Sequence, residues 1–435
     1  MGGLGSARAS EVLVVGAGVV GLSVAAHLRW LGVPVIVLER ERTGGGTSTR
    51  GFGTVAAQSR PPGHPLRLHL AALDYYPEFV ARLGCADAYR VSGSISLIRT
   101  EAELAARRGL IVGQGRDDGY DPGQILDAAA LRSIEPALGD AFGWGQYRAA
   151  DGHGEPGRLL DGLRRAATDA GAELVEGAAV QGVRMIGDTW QADTAVGRFE
   201  ARVLVNCAGV WAGALARSAG LSLPVQSVRG QIVVLAARPP MLKATISWHG
   251  RTDIRQGDDG RVWLGTVEQS GSWDLRVRAN DTREIVERAV EAVPSLDDGV
   301  IAEAWAALRP VPTDGLPLVG QLAGAPGYFV AVGHGGLSLC GVEGRGLAAQ
   351  IAGSDVDPLL ATFDPNRAMP ELALHASASA ISERVLARLT VDGMRTEATD
   401  WAQVGTYVAR SEEATAKLAR AVDEQPLRAT PPRTP

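Results

Sequence analysis

Hydrophobic and polar positions change period several times along the chain. Val12–Val15 is an unbroken apolar run, the pattern of a parallel strand buried on both faces. Leu22 to Leu31 reads as a short helix, Gly32 ends it, and Val33–Leu38 repeats the buried-strand pattern before Glu39. Strand, helix and strand in that order predict the opening of an α/β domain. Further on, QSVRGQIVVLAA and RVWLGTV read as strands, with Gly257-Asp258-Asp259-Gly260 as a hairpin turn between Arg255 and Arg261. Asn280-Asp281-Thr282 precedes a helical run and is read as its cap. Beyond Pro365 two stretches look helical, and the closing PLRATPPRTP reads as a disordered tail.

Between the first strand and the first helix lies Gly16-Ala17-Gly18-Val19-Val20-Gly21, a G-x-G-x-x-G. Gly16 permits a tight turn, Gly18 lets the backbone approach a pyrophosphate, and Gly21 lets helix and strand pack closely. A helix start offers free N–H groups and a positive dipole end to phosphate. Glu39 follows Gly21 by 18 residues, where a carboxylate accepts ribose hydroxyls and repels the 2′-phosphate of NADP. The stretch RERTGGGTSTRGFGTVAAQ comes next, rich in glycine and hydroxyls and without periodicity. It brings Arg40, Thr47, Ser48, Thr49, Gly51 and Gly53 near the phosphates and favours FAD over NAD. A surface loop is the alternative reading of that stretch.

Composition narrows the function. With 435 residues, 46% hydrophobic and 21% charged, the chain has the makeup of an ordinary globular protein of two or three domains. A net charge of -6 gives no electrostatic case for nucleic acid. Cys85, Cys207 and Cys340 are far apart, which speaks against a disulfide framework or a structural metal and for reduced thiols in the cytoplasm. No apolar run approaches a membrane span, and the first residues carry no apolar leader pattern. Lys243 and Lys417 are the only lysines.

GAGVVGLSVAAHL, VIVLERE and GGTSTRGFGTV together resemble the opening of the D-amino-acid oxidase superfamily of FAD-dependent oxidoreductases. That superfamily includes glycine and sarcosine oxidases, D-amino-acid dehydrogenase, and opine-oxidase and hydrogen-cyanide-synthase subunits. DGHGEPGRLLDGLRRAATDAGAELVEGAAVQGV, VLVNCAGVWAGAL, VRGQIVVL, LRPVPTDGLPLVG and VAVGHGGLSLCGVEGRGLAAQIAG follow the same family order, so the resemblance runs from Glu11 to about Pro365. DIRQGDDGRVWLG resembles the opine, proline-dehydrogenase and cyanide-synthase subunits more than glycine oxidase, whose tyrosine is replaced by the Arg251-Thr252 region.

The resemblance implies a Rossmann-like FAD domain from residues 11–61, 151–222 and 304–365. Interleaved with it is an α+β substrate domain with an antiparallel sheet, from 62–150 and 223–303, and 366–435 form a helical C-terminal extension, read as a solvated appendage, a dimer arm or a docking helix. It carries cofactor contacts to Gly16, Gly18, Val19, Val20, Gly21, Glu39, Val180, Ala208, Gly209, Trp211, Gly333, Gly335, Gly336, Leu337 and Ser338. The implied reaction is oxidation of a C–N bond in an amino acid or secondary amine. Hydride passes from the α-carbon to flavin N5, and the imine hydrolyses to an oxo acid.

Such chemistry needs an anchor more than an acid–base triad, because the cofactor performs the hard step. Arg309 sits in an otherwise uncharged run, and a planar guanidinium grips a carboxylate with two parallel hydrogen bonds. The resemblance assigns it the substrate carboxylate; an internal salt bridge is the competing reading. Arg255 faces the same choice, with His249 as a candidate for the pocket wall and His334 for a flavin contact or proton relay. No cysteine stands where sarcosine oxidases tether flavin, so noncovalent FAD is expected. The lack of a secure lysine leans the electron acceptor away from oxygen. Two alternatives remain: a tailoring enzyme acting on a larger or carrier-bound amino acid, and a noncatalytic FAD-binding subunit. A homo-oligomer or a partner subunit fits any of these readings.

Overall fold

A computed structural model describes residues 7–115, 119–248 and 250–367. The expected helical extension and tail therefore lie outside the described residues, apart from Asn366 and Arg367.

The opening apolar run becomes the strand Arg8–Val15. Parallel strands flank it: Val12 sits opposite Val35 of Val35–Leu38 on one side and opposite Val203 of Gly197–Asn206 on the other. Being central leaves both faces covered, so Val12, Leu13 and Val14 are fully buried. Glu173–Val175 extends the sheet beyond Val35–Leu38, and Tyr328–Val332 pairs in parallel with the end of Gly197–Asn206. The near half of Gly197–Asn206 pairs antiparallel with Thr189–Thr194.

The first helix is Val19–Trp30, three residues longer at its start than the periodicity suggested. Gly18 is its extended N-cap, and the chain turns helical at once after the glycine turn. Gly32, at φ +82, stops it with its amide on the carbonyl of Arg29, the left-handed ending that glycine adopts without cost. The helix packs on Gly336–Ile351 so tightly that a Cβ at Gly344 would lie 2.3 Å from the Ser23 hydroxyl.

A second, eight-stranded sheet holds the QSVRGQIVVLAA and RVWLGTV segments as Val225–Leu235 and Val262–Ser270, paired antiparallel. The hairpin forms as expected: Gln256 pairs with Val262 around a turn with Gly260 at φ +79. Ile301–Pro312 lies along the other side of Val225–Leu235, with Arg309 opposite Val228. Its first residues and its last belong to one continuous edge strand of this sheet. The segment expected to return to the cofactor domain at residue 304 instead enters it only after Pro312.

The expected cap at Asn280-Asp281-Thr282 is also different. The helix Ala279–Ala292 starts after Arg278 with no side-chain cap. Asp281 is buried and pairs at 2.7 Å with fully buried Arg229, whose other N–H groups reach the carbonyls of Asp274 and Arg276. A buried guanidinium without an anion is far more costly than an uncapped helix end, so the carboxylate serves the arginine.

Glu343, inside the helix Gly336–Ile351, is buried with its Oε2 unpartnered, and burial pushes its carboxyl up to about 8. A carboxyl raised above its unfolded value contributes stability at low pH that is lost as pH rises through the folded value. Between about pH 5 and about pH 9 the wild type should lose about 2–4 kcal/mol of unfolding free energy that Glu343→Gln retains. Urea unfolding of both proteins at the two pH values measures this; parallel pH curves would refute it.

Candidate active site

A cavity of about 690 Å³ lies between the two sheets, within the range of a cofactor and small-substrate site. Its first portion is built by the opening βαβ unit. Gly16 takes φ +109, and a Cβ there would lie 2.5 Å from the Cys207 carbonyl; at Gly21 it would lie 2.0 Å from the Gly16 carbonyl. Only glycine fits at either place. Gly18 is close to a side chain as well: a Cβ would come 2.8 Å from the Ser48 hydroxyl. That hydroxyl accepts the Val19 amide at 3.0 Å, so Ser48 tethers the glycine-rich loop to the first amide of the helix.

Glu39 ends its strand with Oε2 accepting the Ala17 amide at 2.9 Å and Oε1 accepting the Glu41 amide at 3.1 Å. Arg40 lays its guanidinium 4.1 Å from the ring centre of Trp211, and its buried Nε makes no hydrogen bond but lies 3.3 Å from Glu41 Oε1. Glu39, Arg40, Thr47, Ser48, Gly51, Gly53, Val180, Ala208, Gly209 and Trp211 all line the cavity, together with Gly16, Gly18, Val19, Val20 and Gly21. Thr49 does not; its hydroxyl turns back to the Gly44 carbonyl at 3.1 Å.

The helix Gly336–Ile351 points its N-terminus at the same space. Gly335 is in the left-handed region at φ +89, and Gly333, His334, Gly335, Gly336, Leu337 and Ser338 form the wall. His334 is lowered to about 4 by burial, with Arg309 and Arg60 adding to the shift and Glu268 opposing it. Burial therefore favours the neutral imidazole there.

Opposite lies the second sheet. Arg309 lines the cavity as expected, yet it also has the internal partner that competed in the sequence reading. Its Nη1 approaches Glu268 Oε1 at 3.0 Å without making a hydrogen bond, and Nη2 donates to the Thr266 hydroxyl at 3.2 Å. The guanidinium lies flat over Gly230, where a Cβ would sit 2.3 Å from Nη1. Asp253 is also on the wall, pushed up to about 6 mainly by burial, against the pull of Ser247, Arg309 and Arg60.

Arg255 is not part of the wall. It is fully buried, its Nη1 pairs with Glu155 at 2.8 Å, and its Nε donates to the Phe52 carbonyl at 2.6 Å. Trp263 stacks on it at 4.4 Å. The expected substrate role thus gives way to an ion pair that fastens the glycine-rich loop to the second sheet. His249 lies outside the described residues. Sequence reasoning missed Gly230, Asp253, Glu268 and Arg60. Gly230 alone left a signal, as the glycine of VRGQIVVL; the rest are assembled by strand pairing between distant segments.

The site fits FAD. The glycine turn with the Ser48 hydroxyl at the helix start, the anchored Glu39 carboxylate and the Arg40 guanidinium beside Trp211 supply a phosphate cradle, a ribose acceptor and a polar flank along one continuous wall. All three cysteines are free and buried. Only Cys207 reaches the wall, at the glycine turn.

A mixed sheet with a parallel core and this cradle, faced by a mostly antiparallel sheet across a shared cavity, defines a flavin-dependent oxidoreductase of the amino-acid and amine oxidase type. Residues 11–350 match the family of FAD-dependent oxidoreductases named DAO, and the chain belongs to it. Glycine oxidase of Geobacillus kaustophilus (strain HTA426) is 30% identical over 341 residues, covering 74% of this chain and 87% of that protein. Its crystal structure superposes with a TM-score of 0.79 at 28% identity, over 83% of this chain and 100% of that one. An opine oxidase subunit of Rhizobium meliloti is 26% identical over 369 residues, 82% of this chain and 97% of that protein. The L-proline dehydrogenase structure from P.horikoshii shares the fold, with a TM-score of 0.77 at 20% identity over 83% of this chain and 98% of that one. Among the described residues no helix is long and apolar enough to cross a membrane, and no cluster suited to a metal ion occurs.

Because Arg309 rests over bare backbone, Gly230→Ala should push its guanidinium aside while sparing the fold. We expect FAD content and thermal midpoint near wild type, with carboxylate ligands binding about tenfold or more weakly, a loss of at least about 1.4 kcal/mol. Titration of flavin absorbance with a carboxylate ligand reads this out, and unchanged affinity would show that Arg309 moves without consequence.

Proposed function

We propose that this chain oxidises the C–N bond of an amino acid or N-alkyl amino acid, with the α-carboxylate held by Arg309. The supporting observation is a cavity-wall guanidinium whose Nη1 makes no hydrogen bond, next to the helix start that faces the cofactor space. When bound, noncovalent FAD supplies the hydride acceptor for the α-carbon, leaving an imine that water hydrolyses to an oxo acid.

The chain's own contribution is placement and charge. Thr266 and Glu268 fix the guanidinium at one edge, and a carboxylate takes the remaining donors in a charge-assisted fork. Fixing one end of a small substrate over the cofactor space makes the reaction effectively unimolecular. The N-terminal amides of Gly336–Ile351 favour negative charge arising at the adjoining edge of the cavity. Neutral His334 adds polarity there without a competing positive charge. Lys243 is exposed and off the wall, which supports an electron acceptor other than oxygen.

An anaerobic screen of amino acids, N-alkyl amino acids and opines, read by bleaching of the flavin, tests the proposal. Arg309→Ala should slow reduction by the best substrate by a hundredfold or more, about 3 kcal/mol of transition-state stabilisation. Reduction at the wild-type rate in that variant would overturn the anchor, and bleaching by none of these compounds would overturn the reaction class.

A further inference from the structure

The cavity holds a second guanidinium that the reaction above does not use. Arg60 lines the same space as Arg309. Among the described residues its guanidinium makes one hydrogen bond, a long contact from Nε to the Ala56 carbonyl at 3.4 Å, and no carboxylate oxygen comes within ion-pair distance. Burial lowers its affinity for its proton, while Asp151 and Asp253 raise it from farther away. Neither acid is free to meet it. Asp151 accepts the amides of Ala57 and Gln58 and the Ser94 hydroxyl, and it pairs with Arg148. Asp253 interacts with Ser247 and shares the fields of Arg309 and Glu268.

The segment carrying Arg60 is rigidly held. Gln114, fully buried, donates to the carbonyls of Gln58 (3.1 Å) and Arg60 (2.7 Å). The Gln58 amide reaches the Gln146 carbonyl at 2.8 Å, and its oxygen accepts Ser96 at 2.6 Å. A half-buried cation on a fixed mount, with N–H groups open to a cavity, is well matched by an anion brought in by the occupant. The neighbouring wall is polar as well, with Gln58, Ser59, Ser94, Ser96 and Thr245.

We propose that Arg60 receives a second carboxylate, so that the substrate is an amino acid or secondary amine with two acidic groups. This rests on Arg309 holding the α-carboxylate. Arg60 and Arg309 come from different segments, a loop after the first sheet's glycine-rich stretch and the edge strand of the second sheet. An occupant that offers each guanidinium its own anion carries two acidic groups.

Binding is tested without turnover by titrating holoenzyme flavin absorbance with butyrate and with succinate or glutarate. Wild type should bind a dicarboxylate about tenfold to a hundredfold more tightly, the scale of one charge-assisted pair. Arg60→Gln should abolish that preference, and Arg60→Lys, which keeps the charge without the fork, should retain part of it. Three outcomes would overturn the proposal: no dicarboxylate preference in wild type, an equal loss for both ligand types in Arg60→Gln, or loss of FAD from that variant. If Arg309→Gln left all binding intact while the Arg60-dependent preference persisted, the α-carboxylate anchor would fail and the second site would stand.

Discussion

The glycine-rich loop that follows Glu39 is tied to the first helix and to the second sheet at once, and the two walls of the cavity meet along that tie. Ser48 holds it to the first helix through the Val19 amide. Thr47 donates to the Leu308 carbonyl at 2.5 Å, Trp305 to the Arg50 carbonyl at 3.1 Å and Arg255 to the Phe52 carbonyl at 2.6 Å. The last three partners stand on the second sheet. Leu308 immediately precedes Arg309, so the residue proposed to hold the substrate and the loop along the cofactor wall share one hydrogen-bonded seam. Movement of either sheet would have to break buried hydrogen bonds, each costly to leave unmade.

Charge distribution follows from the same seam. Arg229, Arg255, Arg309 and Arg60 all lie within the fold, and sequence context does not separate them. Burial does. Arg229 and Arg255 are fully enclosed and have carboxylates and carbonyls placed for them by Asp281 and Glu155. Arg309 is partly enclosed and has one acid at its edge. Arg60 has none within ion-pair distance among the described residues. The series runs from a cation fully satisfied inside the protein to one whose anion must arrive from outside, which is the physical difference between a structural and a binding arginine.

This ordering also explains what the sequence could disclose. The glycine turn, its helix and Glu39 lie within one short segment governed by local sterics, so strand, turn and helix form in the order the sequence predicts, with the helix starting three residues earlier. The hairpin at Gly257–Gly260 was legible for the same reason. Asp281 was not: it looked like a helix cap because the residues it competes with nearby are visible, whereas Arg229 is on a distant strand. Arg255 was misplaced likewise, since its partner Glu155 is 100 residues away. The strand Ile301–Pro312 runs across the boundary that the family resemblance put at residue 304, because its pairing with Val225–Leu235 continues to Pro312.

What decides specificity within the family's chemistry is therefore long-range. The cofactor half is written in consecutive residues, while the substrate half is assembled by register: Arg309 opposite Val228, Gly230 beneath the guanidinium, Glu268 opposite Gly230 and Asp253 opposite Gly265. A single substitution at Gly230 or Glu268 alters the position or charge of the clamp without touching the cofactor cradle. Substrate preference can thus change while the flavin chemistry stays as it is, because the two halves meet only along the seam of the glycine-rich loop.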